Sequence, residues 1–255
     1  MAHKVAMMLA LAVSALSATA ATIEKRTAGG EDVKDGELPF MVSLQGQRGG
    51  HRCGGALVDS TTVVTAAHCV SGTYSIKAGT ANISTDGVVV NVKSRHEHPD
   101  YVLGNPGSPY AVNDIGVLKL ETPVERSDTI DYVTLPADGS DPVPNSIAIG
   151  AGWGYQPDIT PWPKQLSKVA MPVRDREVCF NLSPEGLSGR TTVICVGGDG
   201  KALCDKDSGG PVIDQDTRQL IGVVSFGLGR WPCTPKNPMV CTRVGNYISF
   251  IKKYL

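Results

Sequence analysis

Beyond residue 30, apolar residues fall in short runs broken by Gly, Pro, Asn and Asp, with hardly any helical periodicity. The runs occupy residues 40–44, 56–58, 63–64, 88–92, 115–120, 147–149, 212–213 and 221–226. Many short strands separated by frequent turn signals predict an all-β sandwich or barrel. One segment departs from this pattern. Asn246 stands where it can cap a helix of about residues 246–255, and Ile248, Ile251 and Leu255 fall on one face of it at spacings of three and four.

The first 20 residues read differently. A charged start (His3, Lys4), an apolar run over residues 5–16 and the small-residue ending Ala18-Thr19-Ala20 have the layout of a secretory signal peptide cleaved after Ala20. The run of 12 apolar residues is too short to span a bilayer. Residues 21–26 end in the dibasic pair Lys25-Arg26 before Thr27-Ala28-Gly29-Gly30, as at a propeptide junction. Cleavage after Arg26 removes 26 of 255 residues and leaves 229. With Lys4, Lys25, Arg26 and Glu24 lost, the formal charge moves from −1 to −3. That balance offers no electrostatic basis for nucleic acid or an anionic membrane as a partner.

Seven cysteines in a secreted chain imply disulfides plus one left over, and spacing alone does not assign the pairs. Asn82-Ile83-Ser84 and Asn181-Leu182-Ser183 are acceptor sequons for glycosylation if their loops are exposed. His96-Glu97-His98 lacks the i, i+4 spacing of a helical zinc motif, so no metal site is expected.

Candidate chemistry centres on residues 204–211, Cys-Asp-Lys-Asp-Ser-Gly-Gly-Pro, between the apolar pairs Val193-Ile194 and Val212-Ile213. Asp-Ser-Gly-Gly alone is ordinary turn composition. Its weight comes from two upstream stretches, Thr65-Ala66-Ala67-His68-Cys69 and Asn113-Asp114-Ile115-Gly116-Val117-Leu118-Lys119-Leu120. Together they place a histidine, an aspartate and a serine in the order His68, Asp114, Ser208, which is the chymotrypsin order and neither the subtilisin nor the α/β-hydrolase order. An α/β-hydrolase is further disfavoured because its nucleophile elbow needs Gly two residues before the serine, where Lys206 stands.

On these motifs the chain resembles the secreted chymotrypsin/trypsin-like serine proteases, over nearly all of residues 27–255. The resemblance implies a peptidase domain of two six-stranded antiparallel β-barrels, with His68 and Asp114 in the first (about 27–125) and Ser208 in the second (about 126–245). It implies a connector near residues 122–131, an active site in the cleft between the barrels, and a short C-terminal helix. It also implies the disulfides Cys53–Cys69, Cys179–Cys195 and Cys204–Cys233. Cys241 is then left over, at a position where relatives usually carry an aromatic. A buried inert thiol and a thiol paired with an outside partner both remain open for it. The acidic calcium loop of some relatives has no counterpart between Gly79 and Val88, where Asp86 is the only carboxylate. No cofactor is implied.

The chemistry explains these residue types. A serine hydroxyl is a poor nucleophile near neutral pH and needs a base to remove its proton during attack. The resemblance gives that task to His68, oriented by Asp114, and makes Ser208 the nucleophile of an acyl-enzyme reaction. Backbone amides of Ser208 and Lys206 would receive the oxyanion. The family overwhelmingly has glycine at the position of Lys206, and a residue with a Cβ resists the backbone shape required, at a cost of about 1–3 kcal/mol. The lysine side chain is expected to point to the leaving-group side of the cleft, disfavouring tight protein inhibitors and attracting acidic substrates.

The resemblance also implies activation, in which the amine freed at Thr27 by cleavage after Arg26 pairs with Asp207. Thr27 stands where relatives have Ile or Val, so a hydroxyl is expected in an apolar pocket.

For the first subsite, Ala202 replaces the aspartate of trypsin-like pockets. Leu203 and Met239 would make the pocket apolar and shallow, Gly227 would leave its mouth open, and Ser225-Phe226-Gly227 would pair with substrate backbone. Cleavage is therefore expected after medium-sized apolar residues, with aromatics accepted, and activation requires a separate protease specific for basic residues. The partners expected are protein or peptide substrates, that activating protease and protein inhibitors, acting on an extracellular monomer. The rival expectation is a catalytically weakened or inactive homologue that binds proteins through the same cleft, for which Lys206 and Thr27 are the grounds.

Overall fold

The computed structural model describes residues 27–85, 87–104, 110–154, 164–228 and 235–255. The expected signal peptide and propeptide, with Arg26, as well as Asp86 and Cys233, lie outside the described residues.

The short strand β1 (Glu31–Asp32) is followed by the six strands of the first barrel. These are β2 (Met41–Gln45), β3 (His51–Asp59), β4 (Thr62–Thr65), β5 (Ser75–Ala78), β6 (Val88–Glu97) and β7 (Gly116–Leu120). They close in the order β2-β3-β4-β7-β6-β5, every neighbour antiparallel. Their apolar runs coincide with inward positions: Val42, Leu44, Leu57, Val63, Val64, Ile76, Val117 and Leu118 are all fully buried. In β6 alternation is visible, with Val90 and Val92 buried while Val89, Asn91 and Lys93 face solvent.

The second barrel comprises β8 (Ile147–Gly152), β9 (Ser167–Arg174), β10 (Val193–Gly197), β11 (Pro211–Asp214), β12 (Leu220–Gly227) and β13 (Pro238–Arg243). Its sheet runs β9-β10-β13-β12-β11-β8 and closes through the β8–β9 pairing, with β1 added on β9. The two-barrel fold expected from the resemblance is therefore observed. The connector between barrels, after Leu120 and before Ile147, carries the exposed pair Arg126–Asp131 at 2.6 Å.

The C-terminal helix is present but differs in detail from its expected form. It covers Ile248–Lys252 after a 3-10 turn at Val244–Asn246, and its N-cap is Tyr247, without a side-chain cap. Asn246 accepts a hydrogen bond from Arg243 Nη2 at 2.6 Å instead of capping. Ile248 and Ile251 are buried as expected, whereas Leu255 lies past the end of the helix and is exposed. The helix packs Phe250 and Ile251 into the first barrel's core, and Lys119 Nζ donates to Tyr254 O at 2.6 Å. The chain thus ends by tying the second half of the molecule to the first.

Cys53–Cys69 and Cys179–Cys195 are disulfides. Cys204 is also disulfide-bonded, and its expected partner lies outside the described residues. Cys241 is a free, fully buried thiol, and burial pushes its pKa up to about 12, so it is an inert part of the core.

Where the barrels meet, backbones touch backbones. Trp153 Nε1 donates to Ala81 O at 2.9 Å. A Cβ on Gly54 would lie 2.7 Å from Gly210 Cα and 3.0 Å from Gly210 N. Neither barrel can yield there without moving main chain. Gly54→Ala is accordingly expected to destabilise the protein by about 1–3 kcal/mol, measured by chemical denaturation; wild-type stability in that variant would show that the seam is looser than the contacts imply.

Candidate active site

His68 sits on the single helical turn Ala67–Val70 that follows β4, and Asp114 lies just before β7. The two strands are hydrogen-bonded neighbours, so the residues at their ends meet although 46 positions apart. His68 Nδ1 is 2.8 Å from Asp114 Oδ2, and the His68 amide donates to Asp114 Oδ1 at 3.0 Å. The Cys53–Cys69 disulfide fixes the turn from the next residue. Because the carboxylate accepts at Nδ1, that nitrogen carries the proton and Nε2 is left as the basic site.

Asp114 is almost fully buried, and the second barrel completes its shell. Ser225 Oγ of β12 donates to Oδ2 at 2.5 Å, and Thr242 Oγ1 of β13 donates to the Asp114 carbonyl at 2.7 Å. Its neighbour Asn113, at φ +52°, accepts from Tyr247 Oη at 2.8 Å. Burial, the largest single influence, pushes the Asp114 carboxyl upward. Hydrogen bonds and charge from His68 with the hydrogen bond from Ser225 outweigh it and leave the group below its ordinary range.

Ser208 lies on a turn held by its main chain. Ser208 O accepts from Gly54 N at 2.8 Å, Gly209 N donates to Val224 O at 2.8 Å, and Gly210 N donates to Asp207 O at 2.9 Å. Gly209, at φ +76°, has no room for a side chain: a Cβ would lie 2.2 Å from Thr65 Oγ1 and 3.1 Å from Cys69 Sγ. The turn is therefore pressed against the segment that carries His68. Among the described residues, no hydrogen bond joins His68 to Ser208.

Lys206 has φ +70°, the left-handed region that favours glycine. Its carbonyl is 3.1 Å from His51 Nε2, and His51 Nδ1 is 2.7 Å from Ser43 Oγ. Neither Ser43 nor His51 carries a sequence motif, and a contact across 155 positions leaves no local signal. Asp207 is fully buried. Burial pushes its carboxyl up to about 7 even though Oδ2 accepts from Cys204 N at 2.7 Å; Oδ1 has no hydrogen-bond partner. Thr27 is likewise fully buried with its Oγ1 unpartnered. Ala28 and Ala202 exchange backbone hydrogen bonds of 3.1 and 3.2 Å, which draws the start of the described chain along residues 202–204.

Ala202, Leu203 and Met239 belong to one buried apolar cluster with Cys241 and Val224. Met239 Sδ accepts from the Leu203 amide at 3.0 Å, so the methionine closes over the Ala202–Leu203 backbone. Gly227 at the end of β12 has open space around it. Phe226 is half-buried, with Tyr110 stacked on it at 4.6 Å, and Ser183 Oγ donates to Tyr110 Oη at 2.6 Å. Tyr110 was not legible as a site residue, since it follows a Gly- and Pro-rich stretch of sequence of no distinctive pattern. His96 stacks on Tyr254 and bonds Ser94, while His98 accepts from the Asp100 amide. Both are occupied by structural contacts.

Comparison with known proteins places this geometry. The trypsin family model matches residues 27–251. Chymotrypsin-C of Mus musculus is 34% identical, over 91% of this chain and 89% of that protein. The vitellin-degrading protease of Bombyx mori is 34% identical over 92% and 87%, and chymotrypsin-like elastase family member 3B of Macaca mulatta is 34% identical over 89% and 93%. The family match runs from the buried Thr27 through the C-terminal helix and spans both barrels that build the site. The chain belongs to the trypsin family and is a serine endopeptidase of the chymotrypsin-like kind.

Proposed function

We propose that this enzyme is secreted as a zymogen and cleaves peptide bonds after medium-sized apolar residues through Ser208, His68 and Asp114. The observation that carries the catalytic part is the buried Asp114 carboxylate, held by His68 from the first barrel and by Ser225 and Thr242 from the second. In this reading His68 Nε2 takes the Ser208 proton as Oγ attacks the carbonyl carbon, and Asp114 stabilises the imidazolium that results. His68 then delivers the proton to the leaving amine, and water repeats the sequence on the acyl-enzyme. A hydrogen bond between His68 and Ser208 forms when substrate closes the site.

The oxyanion donors are the amides of Ser208 and Lys206, each worth about 2.7–4 kcal/mol. The left-handed backbone of Lys206 supports that assignment, because it reproduces with a lysine the shape for which relatives use glycine.

The buried apolar cluster of Ala202, Leu203 and Met239 supports an apolar first subsite without a countercharge for Arg or Lys. Residues Ser225-Phe226-Gly227 supply the edge along which substrate backbone pairs. Such a pocket does not accept Arg26, so a protease specific for basic residues activates the chain. The two sequons fare differently as glycan acceptors: Asn181 is exposed at the end of the helix Arg176–Leu182, whereas Asn82 is partly buried with Oδ1 bonded to the Ser84 amide.

Activation works through Asp207. Its carboxyl, buried and without a partner at Oδ1, awaits the ammonium that cleavage creates at Thr27. Before cleavage its folded pKa, about 7, exceeds the ordinary 3.8. The folded proform therefore holds a proton that the unfolded chain releases, and its stability falls as pH rises from about 4 to about 7. Once the Thr27 ammonium is in place the carboxylate is ionised in the folded state and this loss disappears.

Three outcomes are expected. A fluorophosphonate labels Ser208 of the activated chain, Ser208→Ala lowers kcat by about 10⁶, and a peptide library shows cleavage after apolar residues; an unlabelled activated chain would leave a protein-binding homologue as the better reading. Thermal melts of the Ser208→Ala proform and its cleaved counterpart differ more at pH 7.5 than at pH 5, and a gap independent of pH would refute the role given to Asp207. Purified proform with Ser208 intact stays uncleaved until a basic-specific protease is added, and spontaneous conversion would contradict the pocket assignment.

A further inference from the structure

One aromatic pair beside the cleft is built from the protein's own rings. Phe226 is the middle residue of Ser225-Phe226-Gly227, the edge of β12 assigned to substrate backbone. Tyr110 stacks on it, with centroids 4.6 Å apart and ring planes 16° from parallel. Both rings are half-buried and pack against the apolar cluster around Leu187, Leu228 and Val240. Tyr110 comes from the segment before β7 of the first barrel, whereas these partners belong to the second.

Two polar contacts fix its place. Ser183 Oγ donates to Tyr110 Oη at 2.6 Å, and Arg190 Nη1 donates to the carbonyl of the next residue, Ala111, at 2.9 Å. Ser183 is itself anchored, because its amide donates to Cys179 O and Phe180 O at the end of the helix Arg176–Leu182. Cys179–Cys195 in turn ties that helix to β10. A ring held at its face and at its hydroxyl has little freedom to slide off Phe226.

Strand geometry says which substrate side chains would meet this pair. Ser225 Oγ reaches Asp114, so Ser225 lies nearest the reacting bond and Gly227 farther along the edge. A substrate on the acyl side of the scissile bond runs toward Ser208 while β12 runs away from it, so the pairing is antiparallel. The first acyl-side residue then lies beside Ser225 and the second beside Phe226. Directly opposed residues of an antiparallel pair share a face, and side chains alternate faces along a strand. The second and fourth acyl-side side chains therefore fall on the face that carries the Phe226 ring. The fourth lies on its diagonal, about 7–8 Å away and within reach of an aromatic side chain. Tyr110 already stands on that ring.

We propose that Tyr110, tied down by Ser183, is a specificity-determining residue whose ring takes the apolar ground over Phe226, so that a large apolar side chain at the fourth acyl-side residue gains the substrate nothing. The inference rests on the catalytic reading above and on its assignment of the β12 edge. Ser183 acts through Tyr110: a substrate side chain reaches Phe226 only by displacing a ring whose hydroxyl is held.

The test uses the activated enzyme and two tetrapeptide amides that share an apolar first acyl-side residue and differ only at the fourth, Ala or Phe. The ratio of their kcat/KM values cancels effects on the chemical step common to both. In the wild type the Phe substrate matches the Ala substrate within about twofold, and Tyr110→Ala raises the Phe-to-Ala ratio by about fivefold or more, the scale of one aromatic stack. Ser183→Ala and Tyr110→Phe keep the stack and remove the hydroxyl tie. Each raises the ratio by about two- to threefold, and the two together raise it no further than either alone. An unchanged ratio in Tyr110→Ala overturns the proposal, as does a wild-type preference for Phe that Tyr110→Ala abolishes; additive rises overturn the role of Ser183. Should Tyr110→Ala fail to fold, the cycle of Ser183→Ala and Tyr110→Phe decides, and no rise in either single variant overturns the proposal. Calorimetric binding of the same two peptides to Ser208→Ala and its Tyr110→Ala double variant gives a readout independent of catalysis, with the same shift in ratio expected. Absence of fluorophosphonate labelling in the wild type would defeat the catalytic reading, while the binding ratio would still decide the role of Tyr110.

Discussion

The structure depends on one buried carboxylate. Asp114 is nearly inaccessible to water, and an unpaired charge at such a depth would cost several kcal/mol. Its shell is drawn from both halves of the molecule: the His68 amide and ring from the first barrel, Ser225 Oγ and, at the carbonyl, Thr242 Oγ1 from the second. Undocking the barrels would expose the charge to water but strip Ser225 and Thr242 of their partners. Tyr247, at the entrance to the C-terminal helix, adds a further tie through Asn113. The ionised Asp114 is thus at once the group that orients His68 and a fastener between barrels.

The serine turn meets the same seam through the opposite device, the removal of side chains. Gly54, Gly209 and Gly210 bring main chain against main chain at distances where a Cβ would collide. Where Asp114 uses charge and hydrogen bonds to join the barrels, these glycines use proximity. The two devices set His68 and Ser208 on rigid supports from different barrels, and Cys53–Cys69 stiffens the first of them.

Much of this was legible in the chain. The apolar runs at residues 40–44, 115–120 and 221–226 became strands because buried residues on both faces give continuous runs, and 88–92 because one face stays wet. Strand β9 shows buried Val169, Met171 and Val173 alternating with exposed or half-exposed neighbours, a period-2 pattern in a segment where no run of apolar residues drew attention. The helix cap failed as an expectation because Arg243, buried and rich in donors, captured the Asn246 side chain. One local preference lost there to another, a hydrogen bond from three residues back along the chain. Ser43, His51, Thr242 and Tyr110 were invisible for a related reason. Each meets a partner more than seventy residues away, except Ser43, whose partner His51 is eight residues on and itself reaches Lys206 O across 155 positions.

Two of the four unsatisfied buried side-chain oxygens among the described residues lie beside the site. Thr27 Oγ1 and Asp207 Oδ1 are both buried without partners, and a well-packed interior tolerates few such atoms. They differ in remedy. A free ammonium at Thr27 could satisfy the carboxylate, since a cation beside a buried anion offsets the cost of its desolvation. A cation there would do nothing for the hydroxyl, which stays buried without a partner. The price of threonine there is therefore constant, while the penalty at Asp207 is conditional on the state of the chain's end. A conditional penalty makes stability depend on what neighbours the carboxylate, and a constant one can only lower the stability of the state it is part of.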